Sequence, residues 1–504
     1  MRLNPLTCID FYKADHRRQY PAGTTMVYSN LTPRSDKLSP IPAHLFDGHV
    51  VLFGLQHFIK WFLIDTWREN FFRLPKEEAV SAYKRRMDTS LGAGAIPVEH
   101  IEALHDLGYL PIAIKALPEG SRVPVKCPVL VIHNTKPEFF WLTNYLETVL
   151  SCELWKPITS ATIAHHYRVL LQRYAKETGA PQAFVPFQAH DFSFRGMSGI
   201  HDAALSGAAH LTSFVGTDTV VAIDLIEEFY RGNTEAELLG CSVPATEHSV
   251  MCMGTCDGEI ETFRRLITEL YPSGIVSIVS DTWDFWRVVT EFAEQLKPEI
   301  LGRKGKLVFR PDSGDPVKII CGDPDAPAGS PARRGAVQCL WDVFGGTTTE
   351  NGYRVLHEAV GLIYGDSITL ARAEAILAGL KANGFASSNL VFGVGSYTYQ
   401  HVTRDSFGFA VKSTYGEVNG EGREIFKDPI TDNGVKKSAR GLLRVATVNG
   451  EYVMEDRQPV IDGEGCALRT VFRDGALLID ESISQIRARL EEGRASQGAL
   501  LAAA

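Results

Sequence analysis

Six apolar, strand-like stretches in the middle of this chain run straight into polar or charged residues. They end at His190-Asp191-Phe192-Ser193-Phe194-Arg195, Thr217-Asp218, Ser280-Asp281, Arg310-Pro311-Asp312-Ser313-Gly314, Gly365-Asp366-Ser367 and Gly393-Val394-Gly395-Ser396. Arginine presents a planar fork of donors that fits a phosphate or a carbonyl oxygen. An ionised aspartate only accepts hydrogen bonds, so it welcomes ribose hydroxyls or an amide NH2. A glycine turn that opens a helix offers backbone N–H groups to an anion, and Phe192 adds a flat ring. A pocket of this composition suits a ligand with phosphates, a ribose and an aromatic ring.

Each motif also has a plainer reading. Asp218 stands where a cap would precede the apolar helix Val220 to Phe229. Arg310 to Gly314 would make a sound turn with a local ion pair, and Gly393 to Tyr397 an ordinary strand-to-helix joint. Phe192 and Phe194, two apart in a strand, would point the same way into a core. Arg195 resists that reading, because a buried arginine needs a partner. His248 lies in Ser242-Val243-Pro244-Ala245-Thr246-Glu247-His248-Ser249, where Pro244 suits the first turn of a helix capped by Ser242. No HExxH-like spacing supports a zinc site around it.

What could gather these residues is a (β/α) barrel, which collects the C-terminal ends of its strands on one face. From 161 to 404 strand and helix patterns alternate: Ile275 to Val279, then Asp284 to Leu296, then Lys306 to Phe309, with Asn389 to Phe392 before the glycine turn. Such alternation implies a parallel sheet with helices outside. The Pro-, Gly- and Ala-rich stretch 321–336 reads as a surface excursion. Residues 1–160 mix a short strand at Thr25 to Tyr28, a buried helix at Val50 to Trp67, a strand at Val123 to His133 and an aromatic-rich helix at Glu138 to Leu154. After 405 the pairs Asn419-Gly420, Asn449-Gly450 and Asp474-Gly475 separate short alternating strands, a strong hairpin signal. Glu481 to Gly493 reads as a last amphipathic helix, and 498–504 as a frayed tail. The expected organisation is α/β, with an irregular barrel at 161–404 and a sheet-containing α+β domain built from 1–160 and 405–504.

The chain has 504 residues, a 45% hydrophobic and 22% charged composition and a net charge of -9. That length supports two domains. The negative balance excludes a general nucleic-acid or anionic-membrane surface, so arginines that bind phosphate must act locally. Nine cysteines without a CxxC pair argue against a zinc ribbon and a disulfide framework, and for a reducing cytoplasm. The sequence shows no secretory h-region and no apolar run of membrane-spanning length.

Taken in order, these words resemble one family. They are Asp10-Phe11-Tyr12-Lys13 with Gln19-Tyr20-Pro21, His190 to Gly196, Gly216-Thr217-Asp218-Thr219, Ser242 to Ser249, Val279-Ser280-Asp281, Arg310 to Gly314, Gly365-Asp366, Thr403-Arg404-Asp405 and Phe426-Lys427-Asp428-Pro429. Together they span nearly the whole chain and resemble the nicotinamide phosphoribosyltransferases, of the type II phosphoribosyltransferase (nicotinate phosphoribosyltransferase-like) superfamily. The resemblance implies a homodimer with active sites at the interface. It also implies transfer of the phosphoribosyl group of 5-phosphoribosyl 1-diphosphate to nicotinamide, with Mg2+ and with ATP as co-substrate.

Carried over to this numbering, the resemblance places Phe192 on one face of the nicotinamide ring and Tyr12 of the other subunit on the opposite face. Asp218 would accept the amide N–H, Arg310 would reach the amide oxygen and a phosphate, and Ser242 and Ser277 would complete the substrate-binding set. Arg195 would contact the phosphoribosyl group. Asp281 and Asp312 would surround the ribose and an indirectly held Mg2+. Gly365, Asp366, Gly395 and Ser396 would hold the 5′-phosphate and ribose. Arg34, Arg404, Lys427 and Lys436 would bind diphosphate or the nucleotide phosphates, the two lysines arriving from the other subunit. His248, beside Glu247, would be the histidine phosphorylated by ATP. Two departures from familiar members stand out: a phosphate loop, Val394 to Tyr397, with fewer glycines, and Phe194 in place of tyrosine. A nicotinate-specific enzyme and a catalytically silent binding protein on the same scaffold are the alternatives. Asp218 speaks against the first, since a carboxylate facing a carboxylate costs binding energy.

Overall fold

The structure, a computed structural model, describes residues 3–427 and 439–503. The six strands anticipated above lie in one parallel sheet. They are β1 (Ala189–Asp191), β2 (Gly216–Thr217), β3 (Ser273–Val279), β4 (Lys304–Arg310), β5 (Val360–Tyr364) and β6 (Leu390–Val394), in the order β2-β1-β6-β5-β4-β3. The sheet curls, and the segment from Cys241 to Thr246 bridges its two edges. Cys241 pairs with Gly216 and Ala245 with Ser277, both parallel. Pro244 has no N–H to give a ladder, so this seam forms isolated bridges in place of a strand. The barrel is therefore irregular.

The same seam corrects one expectation. Ser242 to Thr246 is spent on bridging the sheet edges, so the helix expected from Ser242 starts only at His248 and runs His248–Met253.

Helix α1 (Glu147–Thr178) continues well past the expected end at Leu154, and residue 160 lies inside it. Its small residues Thr159, Ser160 and Ala161 are fully buried, which lets α2 (Ile200–His210) pack closely against it. Helix α3 (Val220–Phe229) falls where the apolar run placed it. The final helix, α4 (Ile483–Ala503), buries Ile483, Ile486 and Leu490 against α2 and α3. It reaches into the stretch expected to fray, because Ala and Leu there favour helix.

A seven-stranded antiparallel sheet interleaves strands from both ends of the chain. Its order is Glu421–Glu424, Ala410–Val418, Thr24–Thr32, Leu130–Asn134, Ile112–Ala116, Arg469–Arg473 and Ala476–Leu477. The first of the N-terminal strands is longer than the four residues expected; it pairs Ser29 with Ser413 on one side and with Ile132 on the other. All three Asn-Gly and Asp-Gly pairs form hairpins, with positive φ at both residues, for example 54° at Asn419 and 77° at Gly420.

Two apolar stretches fold otherwise than their patterns imply. Val50 to Trp67 begins as the strand His49–Val51 and becomes helical only from Leu55, since Gly54 at φ 101° breaks the backbone between them. Val123 to His133 is two strands, Arg122–Pro124 and Leu130–Asn134, separated by a turn in which Lys126 has φ 77°. Periodicity alone does not distinguish these cases. Among the described residues, no helix is long and apolar enough to cross a membrane.

Candidate active site

The C-terminal ends of the parallel strands open into a cavity of about 900 Å³. It is lined by Phe192, Arg195, Asp218, His248, Arg310, Asp312, Gly365, Asp366, Gly395 and Ser396, with Thr219, Glu247, Ser367 and Tyr397 among their neighbours. That volume is typical of a small-molecule site.

Phe192 follows β1. Its ring lies on the backbone of Gly365 and Gly393: a Cβ at Gly393 would stand 2.6 Å from both the Gly365 Cα and the Phe192 Cδ2. Glycine is required there by close approach. Phe194 is not its strand partner. The strand ends at Asp191, and Phe194 and Arg195 sit in a single 3-10 turn, Phe194–Gly196, both exposed and both lining the cavity. Neither phenylalanine is core, because the chain turns before the period-two pattern can bury them.

Asp218 is not a cap either. Helix α3 is preceded by Thr219, while the Asp218 carboxylate accepts from His190 Nε2 at 2.8 Å and from Ser242 Oγ at 2.5 Å. Both bonds fall on Oδ1. Partial burial pushes this carboxyl up, but the bonds from His190 and Ser242 and the charges of His190 and Arg310 outweigh it and hold it below its ordinary value. Asp218 therefore faces the cavity ionised.

Arg310 ends β4. It donates to the Thr246 carbonyl at 2.8 Å and lies 3.2 Å from Asp312 through Nε. Asp281, with a side chain only 4% exposed, does not line the cavity. It accepts from the Asp312 N–H at 2.9 Å, the Ser313 hydroxyl at 2.6 Å and His248 Nε2 at 3.2 Å. Burial, then the neighbouring Asp281 and Asp366, push Asp312 above the ordinary carboxyl value against the pull of Arg310 and His248. Its Oδ1 is buried without a hydrogen-bond partner. Ser277, inside β3, is also buried with an unpartnered hydroxyl.

The remaining candidates lie elsewhere. Tyr12, Arg34 and Lys427 line a second cavity of about 950 Å³ on the antiparallel sheet, which shares no lining residue with the first. Lys13, Lys37, Lys126 and Lys412 also line it, against only Asp36 and Glu147 of opposite charge. Burial and the nearby Arg34, Lys427 and Lys13 lower the Lys412 ammonium, with Glu147 opposing. Arg404 lines neither cavity and pairs with Asp405 at 3.3 Å. Lys436 lies outside the described residues.

Two kinds of residue escaped the sequence reading. His190 carries no signal of its own in the sequence, and only the fold brings its ring to 4.7 Å from that of Phe192 and its Nε2 to Asp218. Lys412 carried no signal at all, since an exposed lysine in an alternating strand is unremarkable until the sheet assembles.

An irregular parallel barrel whose strand ends present a phenylalanine, an ionised aspartate, an arginine and a glycine turn defines a phosphoribosyltransferase of the type II class. The description "Nicotinate phosphoribosyltransferase (NAPRTase) family" matches residues 187–476, and the chain belongs to this family. It is 64% identical over 497 residues to a nicotinamide phosphoribosyltransferase of Acinetobacter baylyi, covering 97% of this chain and 98% of that protein. It is 32% identical over 512 residues to one of Xanthomonas campestris, covering 97% and 99%. Among solved structures, nicotinate-nucleotide pyrophosphorylase of Pyrococcus furiosus shares the fold, with a TM-score of 0.56 at 15% identity, covering 97% of this chain and 95% of that one.

Proposed function

We propose that the protein transfers the 5-phosphoribosyl group of 5-phosphoribosyl 1-diphosphate to nicotinamide, giving nicotinamide mononucleotide and diphosphate in NAD salvage. The observation that carries this reading is Asp218. Its Oδ1 is taken by His190 and Ser242, and among the described residues its Oδ2 has no partner. That oxygen is the acceptor for an amide N–H at the edge of a ring stacked on Phe192, and Arg310 is placed near it for the amide oxygen. A carboxylate base would meet the Asp218 charge instead.

The ring nitrogen attacks the anomeric carbon as diphosphate leaves, through an oxocarbenium-like state that needs little proton transfer. Catalysis then rests on positioning and on charge. Arg195, Gly395 and Ser396 hold the phosphoribosyl phosphate, and Asp312 and Asp366 face the ribose. Mg2+ fits at Asp312, where burial, two acidic neighbours and an unpartnered oxygen favour a cation. Among the described residues no three His, Cys, Asp or Glu side chains form a direct metal cage, so contact through water suits the site. When bound, the ion would supply charge to the leaving diphosphate.

A homodimer would bring the basic cavity of one protomer, with Tyr12, to the barrel cavity of the other. Support comes from the exposed Tyr12, and from the exposed apolar residues Phe194, Ile200 and Val220 around the barrel end. ATP would phosphorylate His248, half exposed on the cavity wall; with Nε2 held by Asp281, Nδ1 is the nitrogen left to accept the phosphoryl group. The protein would work in the cytoplasm, a reducing compartment that its nine free cysteines suit.

Purified protein supplied with the phosphoribosyl donor, Mg2+ and either base tests the reading. Mononucleotide should form from nicotinamide far faster than from nicotinate; product from nicotinate alone would reject it.

A further inference from the structure

The partner that holds Asp218 is itself a titratable group. His190 is mostly buried, with 12% of its side chain exposed. Its ring lies 4.7 Å from that of Phe192, and its Nε2 is 2.8 Å from Asp218 Oδ1. Its Nδ1 lies against Gly216, where a Cβ would come within 2.9 Å of it. The imidazole is thus fixed between the ring that would stack on the base and the carboxylate that would read its amide.

We propose that His190 is a specificity-positioning residue whose protonation state sets how strongly Asp218 excludes an acidic base. This rests on the nicotinamide reading above and deepens it. When His190 is neutral, its Nε2–H donates to Asp218 and leaves the full carboxylate charge facing the cavity. When it gains a proton, imidazolium and carboxylate form a contact ion pair, and the net charge met by an incoming carboxylate vanishes. Nicotinamide is neutral and depends on Oδ2 as an acceptor in both states, so it responds much less. Selectivity should therefore narrow as pH falls.

The other charged groups facing His190 do not duplicate this effect. Asp191, next in β1, turns its carboxylate towards α2, within 3.3 Å of where a Cβ on Gly207 would stand. His210 of α2 is tied to the Tyr399 hydroxyl and the Gly216 carbonyl. Arg310 is permanently charged and contributes equally across the range. Among the described residues, His190 and Ser242 are the donors to the base-reading carboxylate, and of the two only the imidazole can gain a proton.

The test is kcat/KM for nicotinamide and for nicotinate between pH 5.5 and 8.5, with full-length protein, donor and Mg2+, in the wild type and in His190→Gln. Glutamine keeps a neutral N–H donor and cannot take up a proton. The nicotinamide-to-nicotinate ratio should fall roughly tenfold towards acid in the wild type and stay flat in His190→Gln. A ratio independent of pH in the wild type, or an equal slope in His190→Gln, would overturn the proposal. A purely structural role would lower both bases together without changing the ratio, and would also overturn it. If nicotinamide gave no product at any pH, the nicotinamide reading itself would fail, which is a separate outcome. Should His190→Gln fold poorly, Ser242→Ala provides a second check: it removes the other donor to Oδ1 without a titrating group, so the pH slope should persist.

Discussion

The two cavities are built in opposite ways. The barrel cavity draws its side chains from the ends of consecutive strands of one parallel sheet, and its charges are mixed: arginines beside aspartates, with a phenylalanine between. The cavity on the antiparallel sheet is made by segments nearly four hundred residues apart, joined where Ser29 pairs with Ser413, and it is strongly basic. In the proposed reaction the mixed-charge pocket would take the neutral base and the ribose and the basic one the leaving anion, and the two would meet only across a homodimer.

That contrast can be broken by substitution. The largest effect belongs to Asp312→Ala in the barrel cavity. Removing a half-buried carboxylate from beside Arg310 should lower kcat/KM by roughly a hundredfold or more, measured with saturating donor, with the fold intact by circular dichroism. Lys412→Ala in the basic cavity should raise KM for the phosphoribosyl donor roughly tenfold, the scale of one charge-assisted contact to phosphate, and leave KM for nicotinamide nearly unchanged. An equal rise in both would erase the division of labour. Gly393→Ala should push the Phe192 ring off its seat, raising KM for nicotinamide several-fold and costing about 1–3 kcal/mol of stability from overpacking; thermal melting and steady-state kinetics check both.

The smallest effect on turnover belongs to a buried carboxyl that lines neither cavity. Glu119 is fully buried. It accepts from the Gly54 and Gln56 N–H groups and from the Tyr230 hydroxyl. Burial raises its carboxyl to about 7, against those hydrogen bonds. The folded state then holds a proton that the unfolded chain has released. The resulting stability is fully present below about pH 4.5 and is lost as pH rises through about 7. The wild type should therefore lose melting temperature relative to Glu119→Gln across that window, with turnover alike in both. A constant difference between the two curves would contradict this.

The division also explains what the sequence made legible. All six strand ends, helix α3 and the three hairpins were readable because each rests on local rules: a polar residue after an apolar run, or two positive-φ residues between alternating strands. The barrel cavity inherits that legibility, since its fold places strand ends together by construction. What escaped was set by contacts distant in sequence. The Cys241 to Thr246 seam becomes extended only because two sheet edges need bridging, so Ser242 looked like a cap. Asp218 looked like a cap as well, until His190 and Ser242 converged on one of its oxygens. The length of α1 and the strand at His49–Val51 are fixed by the neighbours they pack against. Lys412 gains meaning only beside Arg34 and Lys427, which no spacing reveals.

Whether the two cavities complete one another across protomers is best measured by mixing. Asp312→Ala and Lys412→Ala chains, each weakened in a different cavity, should be co-refolded in equal amounts and assayed with nicotinamide and the donor at a donor concentration that limits the Lys412→Ala protein. In a homodimer with shared sites, half the dimers are mixed and each carries one intact site. Activity should then recover to about a quarter of the wild-type value, well above either variant alone. Activity equal to the mean of the two separate variants would contradict it and leave each protomer with an active site of its own.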